Sequence, residues 1–223
     1  MGLFDINGNI IASNDGVLYG KKWAVCGDSV SSGDLVEKDE NGESKAYYYY
    51  IAKRNNMTLY HDGISGTTMT NASSNSFSNT RYKNVPLDCD YITLWFGIND
   101  SQDTLGTIDD TDTSTMYGAY NTVLTYFIEN MPNAKIGLVV SHATSSAKQE
   151  VVKKIAEKFG LKTFDIYSDE TIPYWHGWDA NKVYPSQEVY NTRKAQWWRD
   201  GSHPVAAGHE YISTAFEAWM RTL

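Results

Sequence analysis

The stretch WAVCGDSVSSGDL, residues 23–35, joins a short apolar run to a Gly-Asp-Ser turn. An apolar run of this length that ends at a turn predicts a buried strand of a parallel sheet, here over residues 22–26. Three serines follow within four positions, at Ser29, Ser31 and Ser32. Ligands of α/β proteins bind beyond the carboxyl ends of the strands, so Ser29 is the first candidate nucleophile.

Strand-like runs alternate with helical patterns along the rest of the chain. The further strands are predicted over 58–62, 91–96, 135–140 and 161–166, and the helices over 114–130, 146–159, 204–222 and, more weakly, 43–56. This alternation predicts βαβ units, and therefore a parallel sheet that is covered by helices on both faces. The residues that follow each strand are expected to form the ligand-binding edge.

Length and composition fit one domain. The chain has 223 residues, of which 41% are hydrophobic and 21% charged. We expect residues 1–20 to form an N-terminal arm and residues 21–223 to form a single domain. The sequence gives no signal for an oligomeric state.

Charge and hydropathy restrict the partners. A net charge of −8 argues against nucleic acid or an anionic membrane, because both are bound through basic patches. No segment approaches the roughly 18 apolar residues of a membrane span. The first residues lack the basic start and continuous apolar core of a signal peptide. Two compartments stay open: the cytoplasm, or export with a leader that is absent from this chain.

The two cysteines, Cys26 and Cys89, are expected to be free thiols in the core. They fall at opposite ends of parallel strands, roughly 20 Å apart at about 3.3 Å per residue, which is too far for a disulfide. No CxxC or Cys/His spacing indicates zinc. The acid-rich segment 103–114 lacks the Gly and the final Glu of an EF-hand loop. We therefore expect no metal site.

A serine hydroxyl becomes a good nucleophile when a base takes its proton and a third group orients that base. Of five histidines, only His203 has a carboxylate at a suitable local spacing, since RDGSHP places Asp200 three residues before it. One tight turn can return this carboxylate to the Nδ1 side of the ring and leave Nε2 facing a serine. The pattern predicts a catalytic triad of Ser29, His203 and Asp200.

Acyl transfer also needs hydrogen-bond donors that face the developing oxyanion. FGIND provides Asn99 shortly after one predicted strand, and GISGTT provides Gly66 after another. A backbone N–H at Gly66 can approach a substrate because no Cβ blocks it. The N–H of Ser29 is the third expected donor. Each short motif is common in turns, whereas the combination in this order is specific.

Together these motifs resemble the blocks of the SGNH hydrolases, also called GDSL esterases and lipases. The blocks read GDSV (27–30), SGTT (65–68), GIND (97–100) and DGSH (200–203), with Val30 in place of the usual Leu. The resemblance implies a three-layer α/β/α sandwich with a five-stranded, mostly parallel, flavodoxin-like sheet and no metal or organic cofactor. It implies the following site residues: Ser29 as nucleophile, His203 as base, Asp200 as its partner, and Gly66 and Asn99 in the oxyanion hole.

Other polar residues near the strand ends have less specific signals. His142 follows a strand and is expected either to contact substrate or to lie in a solvated loop. His209 is expected to pack within the last helix. Asp28 and Asp100 are expected to accept backbone N–H groups in their turns.

Residues 167–199 match none of the blocks and are rich in aromatic side chains. Trp175 and Trp178 are candidate substrate contacts, because tryptophans can stack on sugar rings. They can equally pack against other side chains within this long segment.

The sequence therefore predicts a serine esterase for a small-molecule or glycan ester, with acetyl as the expected acyl group and a carbohydrate as the expected alcohol. No long apolar segment resembles a lipase lid. Two alternatives stay open: a lipid or thioester acylhydrolase of the same family, and a non-catalytic glycan-binding module on the same fold.

Overall fold

The computed structural model describes residues 16–166 and 186–223. Most of the expected N-terminal arm therefore lies outside the described residues. Within them, Leu18 is fully buried and joins the core.

A parallel sheet forms the centre of the described chain. Its five strands are β1 Lys22–Gly27, β2 Thr58–Gly63, β3 Tyr91–Trp95, β4 Lys135–Val140 and β5 Lys162–Asp165. They lie in the order β2-β1-β3-β4-β5, and each neighbouring pair is parallel. This is the flavodoxin-like doubly wound order, whose ligands bind where the strand order reverses. The predicted α/β fold is confirmed.

Six helices of the described chain flank the sheet, and four of them lie close to predicted positions. They are α1 Ser29–Ser32, α2 Tyr47–Asn55, α3 Met116–Asn130, α4 Ser146–Phe159, α5 Gln187–Trp197 and α6 Ala206–Met220. The last helix begins two residues later than expected, because Pro204 stays extended and pairs with Trp198 in an antiparallel bridge. Helices α1 and α5 were not among the predicted helices.

The side chains of β1 show how three layers arise from alternation along a strand. Ala24 and Cys26 join the core on the face that α3 and α4 cover, whereas Trp23 and Val25 join the core that α2 and α6 cover. Successive strand residues point to opposite faces, so an apolar strand supplies both cores. Both faces of the sheet are therefore buried.

Two further sequence expectations can be compared with the described residues. Cys26 and Cys89 are free and buried, as expected. None of the described helices combines the length and the apolar character that a bilayer crossing requires.

Candidate active site

Ser29 lies directly after β1 and begins the single turn of α1. Asp28 precedes it, with a carboxylate that accepts the N–H of Val30 at 3.1 Å and a carbonyl that accepts the N–H groups of Ser31 and Ser32. The turn leaves the carboxyl edge of the sheet with Ser29 partly exposed. The strand and its Asp cap thus place one hydroxyl at the predicted ligand-binding edge.

The other two serines of this turn make structural contacts, as expected for turn residues. Ser31 Oγ lies 3.1 Å from the Tyr47 hydroxyl, and Ser32 Oγ lies 2.9 Å from Ser65 Oγ. The last residue of β2, Gly63, packs against the same turn so closely that a Cβ would lie 2.2 Å from the Ser31 carbonyl oxygen. The glycine allows the nucleophile turn to pack directly on the neighbouring strand.

The structure brings Ser29, His203 and Asp200 together. Nε2 of His203 lies 2.8 Å from Ser29 Oγ. Nδ1 of the same ring lies 2.9 Å from Oδ2 and 3.1 Å from Oδ1 of Asp200. Because a carboxylate only accepts, Nδ1 carries the proton, and Nε2 can accept the serine hydroxyl proton. The ring is therefore held in the tautomer that a general base requires.

Asp200 also shapes the loop that holds the histidine. Its Oδ1 accepts the N–H of Ser202 at 2.7 Å and the N–H of His203 at 2.8 Å. Burial alone would raise the pKa of Asp200, but these hydrogen bonds and the His203 ring outweigh burial and hold the pKa below its usual value. The carboxylate therefore stays ionised at neutral pH and faces the ring nitrogen opposite Ser29.

The expected oxyanion donors lie on two loops that contact each other. Gly66 has a φ of +77° and Gly97 a φ of +117°, both in the region that favours glycine. Asn99 is exposed, and its Nδ2 donates to the Thr67 carbonyl at 3.0 Å. The N–H of Ile64, in the Gly66 loop, donates to the Gly27 carbonyl at 3.1 Å beside the Ser29 turn. Hydrogen bonds therefore link both donor loops and the nucleophile turn.

A family model provides the decisive comparison. The model of the GDSL-like lipases and acylhydrolases matches residues 24–216, which include all four sequence blocks. The chain belongs to this family. The prediction of a GDSL acylhydrolase is therefore confirmed at the level of the family.

Several solved structures share this GDSL fold. A protein from Lactobacillus plantarum is 21% identical, with 92% of this chain and 98% of that chain covered and a TM-score of 0.73. A candidate GDSL-like lipase from Bacteroides ovatus is 20% identical, with coverages of 92% and 99% and a TM-score of 0.66. A variant of Axe2, an acetyl xylan esterase from Geobacillus stearothermophilus, is 19% identical, with coverages of 91% and 95% and a TM-score of 0.58. A search of curated proteins found no match.

His142 has a different environment in this GDSL hydrolase from the one expected. The ring is fully buried rather than solvated, since it packs 4.5 Å from the Trp198 ring and edge-on to Trp95 at 6.1 Å. Its Nε2 donates to the Ser202 carbonyl at 3.1 Å, within the loop that holds the catalytic candidates. Because the ring is fully buried, it has no exposed surface with which to contact a substrate directly. The contact to Ser202 joins residues 60 positions apart, so no local motif indicates it.

Three buried polar residues around the site agree with their expected structural roles. Asp100 accepts the N–H groups of Met69 and Thr70 at 3.1 and 2.8 Å. Burial raises the pKa of Asp28 to about 7, although N–H groups of neighbouring backbone oppose the shift. His209 accepts the Tyr47 N–H at 3.3 Å, and burial, with the charges of other histidines, lowers its pKa to about 3. His209 is therefore neutral and packed.

A surface groove lies beside the nucleophile turn. This groove of about 740 Å³ lies one helical turn from Ser29, and its walls include Ser32, Asp34 and Tyr48 but neither Ser29 nor His203. The candidate active site lies at the hydrogen-bonded Ser29–His203 pair, because these side chains can catalyse a reaction and the groove residues form no comparable pair. Trp175 and Trp178 lie outside the described residues. In the part of the chain that is described, no three histidine, cysteine or carboxylate groups form a metal-binding cluster.

Proposed function

We propose that this protein is a serine esterase that hydrolyses carboxylic esters through an acyl-enzyme on Ser29. One observation supports this most strongly: His203 Nε2 lies 2.8 Å from Ser29 Oγ, while Asp200 holds the opposite ring nitrogen. A base within hydrogen-bond reach of a hydroxyl, and itself oriented by a carboxylate, is the arrangement that activates a serine.

The reaction follows from this geometry in two halves. Ser29 Oγ attacks the ester carbonyl while its proton moves to His203 Nε2. Collapse of the tetrahedral intermediate breaks the bond to the alcohol oxygen, which takes the proton from the imidazolium. Water then gives a proton to His203 and attacks the acyl-enzyme, and the second collapse returns the proton to Ser29. Asp200 stabilises the imidazolium in both halves and stays ionised.

We assign the oxyanion to the N–H groups of Ser29 and Gly66 and to Nδ2 of Asn99. The Asn99 amide has two hydrogens, and one donates to the Thr67 carbonyl, which fixes the plane of the amide. The second hydrogen is assigned to the oxyanion. Donors that are oriented before the reaction stabilise the transition state most, and the loss of one costs about 10²–10³-fold in kcat.

The preferred substrate is proposed to be a short acyl ester, with acetyl on a carbohydrate as the first candidate. The acetyl xylan esterase Axe2 shares the fold. The sequence has no long apolar segment of the kind that covers a fatty acyl chain in a lipase, and residues 167–199 are rich in aromatic side chains that can stack on sugar rings.

The test compares wild type with Ser29→Ala on p-nitrophenyl acetate, butyrate and octanoate. Ser74→Ala is the matched control, because Ser74 is exposed and far from the turn in sequence. We expect Ser29→Ala to lose at least about 10³-fold in kcat, the control to match wild type, and the rate to fall from acetate to octanoate.

Each alternative predicts a different result, with acetylated xylan added as a second substrate. Equal rates for wild type and Ser29→Ala would reject the esterase mechanism. A rate that rises with acyl length would favour a lipid acylhydrolase. Acetylated xylan that binds without releasing acetate would favour a glycan-binding module.

A further inference from the structure

A lysine is buried directly beneath the loop that presents Asn99. Lys148 lies in the first turn of α4 and is only 8% exposed. Its Nζ donates to the Ile98 carbonyl at 3.2 Å and to the Asp100 carbonyl at 2.9 Å. These two carbonyls stand on either side of Asn99 in the chain, so one ammonium group holds the backbone on both sides of the amide.

The Asn99 loop has other contacts as well, since the Asp28 carboxylate accepts the Ile98 N–H and Asn99 Nδ2 donates to the Thr67 carbonyl. Gly97 leaves β3 with a φ of +117°, a conformation that does not continue the strand. Its carbonyl accepts the Thr144 hydroxyl at 3.0 Å, and Asn99 itself is exposed. Without Lys148, the Ile98 and Asp100 carbonyls would lose the contact that orients both peptide groups. The direction of the Asn99 side chain depends on those peptide groups as well as on its own hydrogen bond to the Thr67 carbonyl.

Asp100 extends the same connection to the second donor loop. Its carbonyl binds Lys148, while its carboxylate accepts the N–H groups of Met69 and Thr70, shortly after Gly66. A displacement of the backbone at Asp100 would therefore move both loops.

A buried ammonium needs an explanation, because desolvation opposes it. Burial lowers the pKa of Lys148, and the carboxylates of Asp100 and Asp28 oppose this shift. An apolar side chain would fill the same space without a desolvation penalty. The ammonium can instead bind two carbonyls at once, which no apolar side chain does.

We propose that Lys148 is a positioning residue of the oxyanion hole, which acts through Asn99 by fixing the carbonyls of Ile98 and Asp100. The inference rests on the proposed esterase function. Its alternative is that Lys148 only attaches α4 to the sheet. The two roles differ in a measurable way, because a residue that acts through Asn99 has no effect once the Asn99 amide is gone.

The experiment is a double-mutant cycle on p-nitrophenyl acetate with Lys148→Met, Asn99→Ala and the combined variant. Lys154→Met is the matched control, since Lys154 is an exposed lysine of the same helix that pairs with Glu150. We expect Asn99→Ala to lower kcat by about 10²–10³-fold. Lys148→Met is expected to lower kcat by about 10–100-fold, with KM within about twofold, because it misplaces one donor without removing it. The double variant is expected to lie within about threefold of Asn99→Ala.

Three results would overturn the inference. One is a double variant whose loss in kcat equals the product of the two single losses. Another is a Lys148→Met protein that melts earlier but keeps the wild-type kcat. The third is an Asn99→Ala protein with full activity, which would leave no donor to position; esterase activity that is lost in Ser29→Ala would then still support the proposed function.

A second variant covers the case in which Lys148→Met does not fold. Lys148→Gln keeps an N–H donor for one carbonyl but loses the charge and the reach to both. It is judged by the same cycle with Asn99→Ala. Independence of the two substitutions would again overturn the inference.

Discussion

Substitution of Asp200 by Asn separates the electrostatic role of this residue from its role in the loop. The Asn side chain keeps an oxygen that can accept the N–H groups of Ser202 and His203, as Oδ1 of Asp200 does at 2.7 and 2.8 Å. It removes the negative charge that faces His203 Nδ1 at 2.9 Å and places an amide N–H donor there. This donor favours the tautomer whose Nε2 carries the proton and cannot accept one from Ser29. The backbone of the loop should therefore persist, while the imidazolium loses its stabilising partner.

The size of the loss follows from the exposure of the pair. A hydrogen bond to a charged group contributes about 1.5–3 kcal/mol, and about 1.4 kcal/mol corresponds to tenfold in rate. The Asp200 side chain is 49% exposed and that of His203 is 23% exposed, so solvent screening weakens the interaction. Loss of the charge alone should lower kcat by about 10–100-fold, and the wrong tautomer should bring the total towards the roughly 10⁴-fold loss of a triad Asp→Asn substitution.

The assay measures kcat and KM of Asp200→Asn on p-nitrophenyl acetate at pH 7.5, with thermal melting as the check on folding. Asp109→Asn is the control, because the Asp109 side chain is 87% exposed and pairs with Lys158 at the surface. KM should change little, since the charge acts on the transition state. A folded Asp200→Asn protein with the wild-type kcat would refute this reasoning.

Three further predictions concern stability. Because the pKa of His209 is lowered to about 3 in the folded protein, this histidine binds a proton at higher pH in the unfolded chain than in the folded one. The free energy of unfolding, measured with urea, should therefore fall as pH drops from about 6.5 towards 3. His209→Gln should make this pH dependence weaker. Burial would raise the pKa of Glu217, but hydrogen bonds that include one from Arg54 at 2.7 Å lower it. Glu217→Gln should therefore cost about 1–2 kcal/mol at pH 7, a difference that shrinks as pH falls below about 4.5, and a pH-independent cost would contradict the account. Gly63→Ala should destabilise the fold by about 1–3 kcal/mol and reduce activity, since its Cβ would meet the Ser31 carbonyl; unchanged melting and activity would contradict this.

Much of the fold could be predicted because local pattern and tertiary structure agree. The run over 22–26 is apolar on both faces, as a strand between two helical layers must be, and it became β1 Lys22–Gly27. The short spacing between Asp200 and His203 was equally informative. One tight turn is sufficient to bring their side chains together, so the pairing depends little on the rest of the fold.

Helix α5 shows where local pattern is insufficient. Residues 187–197 have no continuous apolar stripe, and the helix is polar along most of its length. The burial of Trp197, 3.9 Å from the Tyr211 ring, depends on α6, which follows later in the chain. The cap was visible in the sequence, since Ser186 accepts the N–H of Val189 and Glu188 lies in the first turn.

His142 and Lys148 could not be assigned from sequence because their contacts are distant along the chain. Lys148 donates to carbonyls 48 and 50 residues away. One signal was available for it: Lys148 shares the helix face of Val151, Val152 and Ile155, which are all buried. A lysine within an apolar stripe indicates a buried cation whose partners only the tertiary structure can provide.

The central claim is that Ser29 forms the covalent intermediate. The most direct test is to treat the protein with diethyl p-nitrophenyl phosphate, which phosphorylates activated serines, and to locate the adduct by peptide mass spectrometry. The account predicts one adduct, on Ser29, that appears as esterase activity is lost and is absent from Ser29→Ala. An adduct on Ser31 or Ser32, or complete inactivation without an adduct on Ser29, would contradict it.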